Sequence, residues 1–307
     1  MKPLDAIVAG ELYVDLILSG FEFWPQPGQE AFAKKFHREV GGGASNTACG
    51  MAKLGSAVSV LGVVGEDGDW LVQQLTRKGA DTSHISRDPA ETTAFTVAIS
   101  TPEERSFLTY PGANRGFPAA LAEAAAARRL ARAAHVHLAF PPDLSTAAEL
   151  LTSIRANGCT VSLDVGWHES WLRDERLRDI LPLLDLFFPN DSEAHCITGE
   201  ADPEAMLRWF ATTDVPRVAL KLGSRGAALL WDGEIHFDIP PAVKPIDTTG
   251  AGDAFNAGFL HAWLRGNSPG KCLRSANICG ALSTEAYGGV AGVPDAWRLQ
   301  QLLEAHS

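Results

Sequence analysis

The sequence predicts an α/β fold in which helices flank a mostly parallel central sheet. Short apolar runs recur along the chain and alternate with stretches of helical periodicity, as in strand–helix–strand units. The first run, near residues 5–9, is continuous, which is typical of a strand buried on both faces. With 307 residues and neither a repeat nor an interdomain linker, the chain is expected to form a single domain over 1–307.

The remaining elements follow from the same two patterns. Apolar runs predict strands near 57–64, 135–140, 160–164, 186–189 and 217–220, and helical patterns predict helices near 68–78, 144–157 and 191–198. The alanine-rich stretch at 119–134 combines good helix propensity with interspersed charges. We therefore expect a surface helix over 119–134.

Two stretches depart from this rhythm. Residues 30–38 and 94–110 alternate in the manner of exposed strands. An ordinary hairpin excursion and a small β-sheet lid over a binding site are both compatible with this pattern. For the lid, we expect strands within about 12–38 and 94–112, with inward-facing side chains at Phe32, Phe36, Phe95 and Phe107.

Composition and charge exclude several classes of function. The chain has 26 basic and 37 acidic residues, a net charge of −11, and no cluster of lysine and arginine, so neither nucleic acid nor an anionic membrane is an expected partner. No apolar stretch has membrane-spanning length, and the N-terminus lacks a signal-peptide pattern. The five scattered cysteines are typical of reduced thiols. We therefore expect a cytoplasmic protein.

The strongest functional signal lies at 247–264, DTTGAGDAFNAGFLHAWL. Gly250 and Gly252 allow a tight bend and a close approach of the backbone to a ligand. The first N–H groups of the helix expected there lack internal partners and lie at the positive end of its dipole, which favours a phosphate. Asp253 lies beside that position. It is either an ordinary helix cap or a group that orients and deprotonates a hydroxyl during phosphoryl transfer.

The same position predicts how readily Asp253 ionises. The helix dipole should stabilise the charged carboxylate by about 0.3–1 kcal/mol. We therefore expect a low pKa and a weak base. Phosphoryl transfer tolerates a weak base, because its loose transition state depends mainly on positioning and charge neutralisation.

These residues resemble the signature of the ribokinase-like (PfkB) carbohydrate kinase family, D-T-x-G-A-G-D-x-F, from Asp247 to Phe255. A second stretch at 41–55, GGGASNTACGMAKLG, is similar to the family's N-terminal signature. The resemblance extends from about residue 5 to about residue 295. It implies a ribokinase-like fold and transfer of the γ-phosphate of ATP to a hydroxyl of a small sugar or sugar derivative. In the family, the small lid sheet covers the sugar and often mediates dimerisation, so a homodimer is an open expectation.

The resemblance also implies roles for individual residues. Asp253 is the expected general base, and Gly250, Ala251 and Gly252 supply the expected anion hole. The expected sugar ligands are Asp15, Gly42, Gly43 and Asn46. From the residues alone, Asp15 is more typical of an exposed turn or edge residue than of a ligand, and Asn46 is also compatible with a helix cap.

Further positions are implied for the nucleotide and for cations. The positions expected near ATP are Asn190, Lys221, Gly223, Gly226 and Asn277. Asn190 and Glu193 are expected to lie near a hydrated Mg²⁺. Asp247, Thr249 and the region 286–292 match the K⁺ site of some family members. Helix capping explains the Asn190 and Glu193 pair equally well. The two glycines are also compatible with simple turns, and Asn277 with a solvent-facing helix position. Occupancy by K⁺ stays open.

The identity of the acceptor stays open as well. Ribokinases have a glutamate after the mid-chain strand, where this chain has Phe-Pro-Pro at 140–142, and the D-x-N-x-R of related kinases is replaced by Asp-Val-Gly-Trp-His at 164–168. A nucleoside kinase and a non-catalytic sugar or nucleotide sensor are therefore alternatives. A dinucleotide oxidoreductase and a P-loop enzyme are excluded, because neither GxGxxG after the first strand nor GxxxxGK[ST] is present.

Overall fold

The computed structural model describes residues 2–24, 27–100 and 105–305, so residues 1, 25–26, 101–104 and 306–307 of the predicted domain and lid lie outside the described residues. Its strands are β1 (Leu4–Gly10), β2 (Tyr13–Ser19), β3 (Lys35–Gly41), β4 (Val58–Gly65), β5 (Asp81–Asp88), β6 (Phe95–Ser100), β7 (Arg105–Tyr110), β8 (Ala133–Ala139), β9 (Thr160–Leu163), β10 (Leu186–Phe187), β11 (Arg217–Lys221), β12 (Ala227–Trp231) and β13 (Glu234–Asp238). Its helices are α1 (Gly43–Lys53), α2 (Asp69–Arg77), α3 (Phe117–Ala126), α4 (Ala147–Ala156), α5 (Glu169–Leu172), α6 (Leu177–Ile180), α7 (Asp191–Thr198), α8 (Pro203–Ala211), α9 (Ala251–Trp263), α10 (Pro269–Ser283) and α11 (Ala296–Glu304).

The large sheet has the order β13-β12-β11-β10-β9-β8-β1-β4-β5. Its strands pair in parallel from β5 to β11, and β12 and β13 extend it with antiparallel pairings. All eight residues of β4 are buried, because separate apolar clusters cover the two faces of the sheet. The predicted mostly parallel sheet flanked by helices is therefore confirmed.

A small sheet in the order β3-β2-β6-β7 is formed by the two segments predicted as lid strands, and β3 continues to Gly41, beyond the predicted limit of 38. Strand β2 joins the two predicted segments, since it pairs antiparallel with β3 and parallel with β6. Side chains alternate between the faces of a strand, and the register places Phe107 on the face of Asp15 and Phe36 and Phe95 on the opposite face. The expectation that all four phenylalanines point inward is therefore wrong, and Phe32 is 75% exposed.

The alanine-rich segment is shorter as a helix than its composition predicts. Helix α3 ends at Ala126, and Arg128 adopts a left-handed conformation with φ of 56°. Ala133 then begins β8 and pairs with Leu4 of β1. Pairing in the buried sheet outweighs the helix propensity of the last alanines, so the expectation of a helix to residue 134 is wrong.

Close packing of helices against the sheet positions the site. The parallel strands β1, β8, β9 and β11 end at one edge of the sheet, where α1 and α9 meet. A β-carbon added at Gly50 of α1 would lie 2.8 Å from the β-carbon of Ala257 of α9, so the glycine permits the two helices to touch. Across the described ranges, no helix is long and apolar enough to span a membrane.

Candidate active site

The N-terminus of α9 forms the centre of the site. The helix begins at Ala251, as the sequence predicts, and Gly250 precedes it with φ of 72°. A β-carbon at Gly250 would also lie 2.5 Å from the Cα atom of Gly289, so both the conformation and the space require glycine. The first amides of α9 lack partners within the helix, and they supply the positive end of its dipole.

Asp253 lies in the first turn of α9 and faces the start of α1. Its Oδ2 atom accepts a hydrogen bond of 2.9 Å from Nδ2 of Asn46. A β-carbon at Gly43 would lie 3.2 Å from Oδ1, so the carboxylate rests against the glycine loop. The structure thus brings together the two segments that carry the family signatures, although they are about two hundred residues apart in the chain.

The pKa of Asp253 is raised to about 6, contrary to the low value expected from the helix dipole. Burial is the main cause, and the negative charge of Asp164 adds to it, whereas the hydrogen bond from Asn46 and the charge of Lys221 act in the opposite direction. Desolvation therefore outweighs the dipole. A carboxylate with this pKa is a more effective base near neutral pH than an ordinary aspartate.

The predicted sugar ligands lie where the small sheet joins α1. Asp15 is in β2, opposite Glu39 and Thr96, and its carboxylate occupies the space that a β-carbon at Gly41 would need. Gly42 has φ of 89° and leads into α1, which carries Asn46. These positions therefore form one surface, which continues to Asp253.

The sequence reasoning missed Asn114, which holds the turn between β1 and β2. Its Oδ1 accepts a hydrogen bond from the amide of Leu12 at 3.0 Å, and its Nδ2 donates to the carbonyl of Leu12 at 3.1 Å. Asn114 lies 102 residues further along the chain than this turn. No local pattern identifies it, because the contact depends on the fold.

A cavity of about 590 Å³ lies on the other side of the α9 N-terminus. Its wall includes the predicted nucleotide residues Lys221, Gly223, Gly226 and Asn277. Asn277 does not face solvent, because its Nδ2 donates to the carbonyl and carboxylate of Asp238 at 3.0 and 2.8 Å. The sequence reasoning missed the proline-containing segment 240–245, which supplies much of the apolar wall and matches no motif.

Lys221 and Asp164 form an ion pair between the cavity and Asp253. The Nζ atom of Lys221 lies 2.5 Å from Oδ2 of Asp164, which also accepts a hydrogen bond of 2.6 Å from Nδ2 of Asn256. Burial by itself would raise the pKa of Asp164 and lower that of Lys221. Burial is the largest single influence on both groups, but the neighbouring charges and hydrogen bonds, led by the attraction within the pair, together outweigh it, so the pKa of Asp164 is lowered and that of Lys221 is raised.

Asn190 and Glu193 form a capping box at the start of α7. Oδ1 of Asn190 accepts from the amide of Glu193 at 2.9 Å, and the Glu193 oxygens accept from the Asn190 amide and side chain at 2.8 and 2.7 Å. Glu193 is 2% exposed, and burial raises its pKa. The capping interpretation is confirmed, and the backbone bridge between Asn190 and Lys221 places this box next to the ion pair.

Asp247 holds the loop that precedes α9. Its two carboxylate oxygens accept hydrogen bonds of 3.0 Å from the amides of Thr249 and Gly288. Gly288 belongs to the region 286–292 that the resemblance associates with K⁺. The described part of the chain contains no group of three or more histidine, cysteine, aspartate or glutamate side chains arranged to hold a metal ion.

The site thus combines a helix N-terminus, a partly buried carboxylate beside it and a cavity of about 590 Å³. The family model described as pfkB family carbohydrate kinase matches residues 5–296. The chain therefore belongs to the pfkB family of carbohydrate kinases.

Known proteins agree with this assignment over nearly the full length. The chain is 28% identical to 2-dehydro-3-deoxygluconokinase from Bacillus subtilis, with 88% of each chain covered. It is 29% identical to a nucleoside kinase from Methanothermobacter thermautotrophicus, with 95% of this chain and 93% of the relative covered. The solved structure of Arabidopsis thaliana ribokinase, complexed with ribose and ATP, superposes with a TM-score of 0.84 at 26% identity and covers 99% of both chains.

Proposed function

We propose that this protein transfers the γ-phosphate of ATP to a hydroxyl group of a small sugar or sugar derivative, with Asp253 as the general base. One observation carries the proposal. The carboxylate of Asp253, whose pKa is raised to about 6, lies in the first turn of α9 between Asn46 of α1 and the cavity of about 590 Å³. A proton acceptor and an anion-binding site therefore adjoin each other.

The chemical step follows from this arrangement. The acceptor hydroxyl oxygen forms a bond to the γ-phosphorus while the bond from that phosphorus to the bridging β-γ oxygen breaks, and ADP leaves. Asp253 orients the hydroxyl and takes its proton. The amides at Gly250 and Gly252 and the ammonium group of Lys221 stabilise the negative charge on the transferred group, whereas the Ala251 amide donates to the carbonyl of Thr248 at 3.2 Å. At pH 7 most Asp253 carboxyl groups are ionised and ready to accept the proton.

The cavity and a relative support ATP as the phosphoryl donor. A volume of about 590 Å³ lies within the range of about 300–1,000 Å³ typical of small-molecule sites. The wall includes Lys221 and Asn277, and the Arabidopsis thaliana ribokinase, which is similar to this chain, is complexed with ATP. The proposed nucleotide site is therefore this cavity.

Asn190 and Glu193 fit a hydrated Mg²⁺ better than a directly bound one. Both Glu193 oxygens already accept hydrogen bonds from Asn190, but each carboxylate oxygen can accept a further bond from a metal-bound water. When bound, Mg²⁺ would neutralise part of the triphosphate charge.

K⁺ binding at Asp247 and Thr249 stays a prediction. A comparison of the rate of ADP release in KCl with the rate in an equal concentration of NaCl tests it.

A panel of acceptors tests the proposal. Pentoses, hexoses, ketodeoxy acids and nucleosides are each incubated with the protein and Mg·ATP, and ADP release is compared with the rate in the absence of acceptor. We expect a sugar or sugar derivative to raise ADP release and to appear as its phosphate ester by mass spectrometry. If no acceptor raises the rate above the background, the proposal is wrong.

A nucleoside kinase is the second candidate. The identity with the Methanothermobacter nucleoside kinase is 29%, and that with the Bacillus subtilis 2-dehydro-3-deoxygluconokinase is 28%. A nucleoside kinase would use the same α9 N-terminus and would differ from a sugar kinase only in the pocket beneath the small sheet. The nucleosides of the panel therefore decide between a nucleoside kinase and a sugar kinase. A non-catalytic sensor would release no ADP with any acceptor, and it has no need of Asp253.

We also propose that the protein forms a homodimer through the small sheet. Phe36 and Leu108 lie on the face opposite Asp15, and they are 59% and 60% exposed. Exposed apolar side chains grouped on one face of a sheet favour association. Light scattering after gel filtration tests this, because the double variant F36S/L108S should have half the mass of the wild type. A monomeric wild type would contradict it.

A further inference from the structure

Asp164 is the point at which three elements of the site meet. It directly follows β9, and its Oδ2 atom accepts from Lys221 at the end of β11 and from Asn256 of α9, at 2.5 and 2.6 Å. The side chains of Asp164 and Lys221 are only 11% and 13% exposed. Two residues that are 57 and 92 positions away from Asp164 are thus held at one carboxylate oxygen.

The ion pair fixes a lysine that lies against the anion loop. A β-carbon added at Gly252 would lie 3.6 Å from the Nζ atom of Lys221. The ammonium group has three donors, and the pair with Asp164 needs one of them, which leaves capacity for a phosphate oxygen. Because a lysine side chain is long and flexible, its charge is useful at this point only if another group holds it there.

The charges around the loop make this lysine necessary. Asp253, Asp164 and Glu193 each act on Lys221 as negative charges. A triphosphate brought to the same place would meet three carboxylates. Lys221 offsets this repulsion directly beside the loop.

We propose that Asp164 is a positioning residue for phosphoryl transfer: it holds the Lys221 ammonium group beside the loop 250–252, where that group meets the transferred phosphoryl group. The inference rests on the proposed function. Asn256 strengthens the argument, because it connects Asp164 to α9 three residues after Asp253. The lysine and the base are therefore positioned relative to the same helix.

A double-mutant cycle tests the proposal, with the variants D164N, K221M and D164N/K221M. We expect D164N to lower kcat by about 10²-fold, as for a misplaced catalytic group, while KM for ATP rises by only about tenfold. In the K221M background D164N should cause no further loss or should restore activity, because it removes an unpaired buried carboxylate.

The matched control is D185N. Asp185 also forms an ion pair, with Arg155 at 2.6 Å, but it precedes β10 and thus lies at the opposite edge of the sheet. Its replacement should leave kcat near the wild-type value. Thermal melting checks that each variant is folded. If D164N alone does not fold, the kcat of K221M is compared with that of the double variant, which lacks both charges. A further loss of kcat in the double variant would then contradict the positioning role.

Two results would overturn the positioning role. Either D164N lowers kcat by the same factor with and without Lys221, or D164N has the kcat of the wild type.

If the wild type phosphorylates no acceptor, the proposed function fails separately, and calorimetry of nucleotide binding then tests the role of the ion pair. There, D164N and K221M should each weaken Mg·ATP binding about tenfold but leave adenosine binding unchanged, and the losses should not multiply in the double variant. Losses that multiply would contradict the proposal.

Discussion

Asp253 and Asp164 are two partly buried aspartates that face the same lysine, yet their pKa values are shifted in opposite directions. The pKa of Asp253 is raised to about 6, whereas that of Asp164 is lowered. Burial acts in the same direction on both carboxyl groups. The difference therefore comes from their partners.

The hydrogen-bond geometry explains the contrast. One oxygen of Asp164 accepts from both the Lys221 ammonium group and the Asn256 amide, within 2.6 Å. Asp253 accepts one side-chain amide, from Asn46 at 2.9 Å, and Lys221 acts on it only through its charge. In Asp164, contact with the Lys221 ammonium group and the hydrogen bond from Asn256 help to overcome the effect of burial, and the pKa is lowered. In Asp253, the hydrogen bond from the neutral Asn46 amide is too weak to overcome burial, and the pKa stays raised.

This difference separates two tasks within one charge network. A group that must take a proton near neutral pH needs a raised pKa, and a group that must hold a cation needs a permanent charge. Asp253 has the first property and Asp164 the second. The predictions below test whether the two carboxylates differ in this way in solution.

The largest effect is expected for Asp253→Asn. The amide cannot accept the hydroxyl proton but keeps the shape of the side chain, so kcat should fall by about 10²- to 10⁴-fold with little change in KM for ATP. Steady-state ADP release with the acceptor identified in the panel measures this. The variant D185N serves as the control for replacing a carboxylate elsewhere. Turnover near the wild-type level in Asp253→Asn would exclude a role as base.

The second prediction concerns stability, where the two aspartates should differ in sign. At pH 7, Asp253→Asn should raise the melting temperature by a few degrees, because the raised pKa means that the folded state disfavours the ionised carboxylate. Asp164→Asn should lower it by on the order of 10 °C, because removing one partner of a buried pair leaves Lys221 uncompensated.

Calorimetry as a function of pH checks the sign for Asp253. Its contribution to stability is fully present at low pH and is lost as the pH rises through about 6, so the gain in Asp253→Asn should vanish below the ordinary pKa of an aspartate. Shifts of the same sign in the two variants at pH 7 would remove the contrast between the carboxylates.

Local sequence predicted the part of the site that is contiguous in the chain. Gly250 and Asp253 lie in one turn, so the helix start could be predicted from the glycines and the acidic residue that follows them. The strands that carry the site could also be predicted, because a continuous apolar run such as that of β1 indicates burial on both faces.

The remainder depends on contacts between distant segments. The cluster of Asp164, Lys221 and Asn256 forms only because β9 and β11 end, and α9 begins, at one edge of the sheet, which no local pattern encodes. The same cause made the expected pKa of Asp253 wrong. The helix dipole is a local property, whereas burial and the charge of Asp164 arise from the fold.

The third prediction is the pH dependence of the wild type. Protonation removes the acceptor function of Asp253, so kcat should fall about tenfold for each pH unit below about 6 and should level off above it. The groups that face this carboxylate are Asn46 from α1, Asp164 after β9 and Lys221 from β11. In D164N, which removes a negative charge that raises the pKa of Asp253, the acid limb of kcat should move to lower pH. An acid limb near pH 4 in the wild type would contradict the raised pKa.

The smallest effect is expected for Asn46→Ala. The hydrogen bond from Asn46 lowers the pKa of Asp253, so its loss should move the acid limb of kcat to higher pH. At pH 6 the variant should therefore be a few-fold slower than the wild type, and the difference in kcat should narrow by pH 8.5. Thr47→Val is the matched control, because the Thr47 hydroxyl lies 3.4 Å from the backbone carbonyl of Asp253 and does not touch its carboxylate. If both variants leave the limb in place, the amide of Asn46 does not tune the base, and burial and Asp164 alone set its pKa.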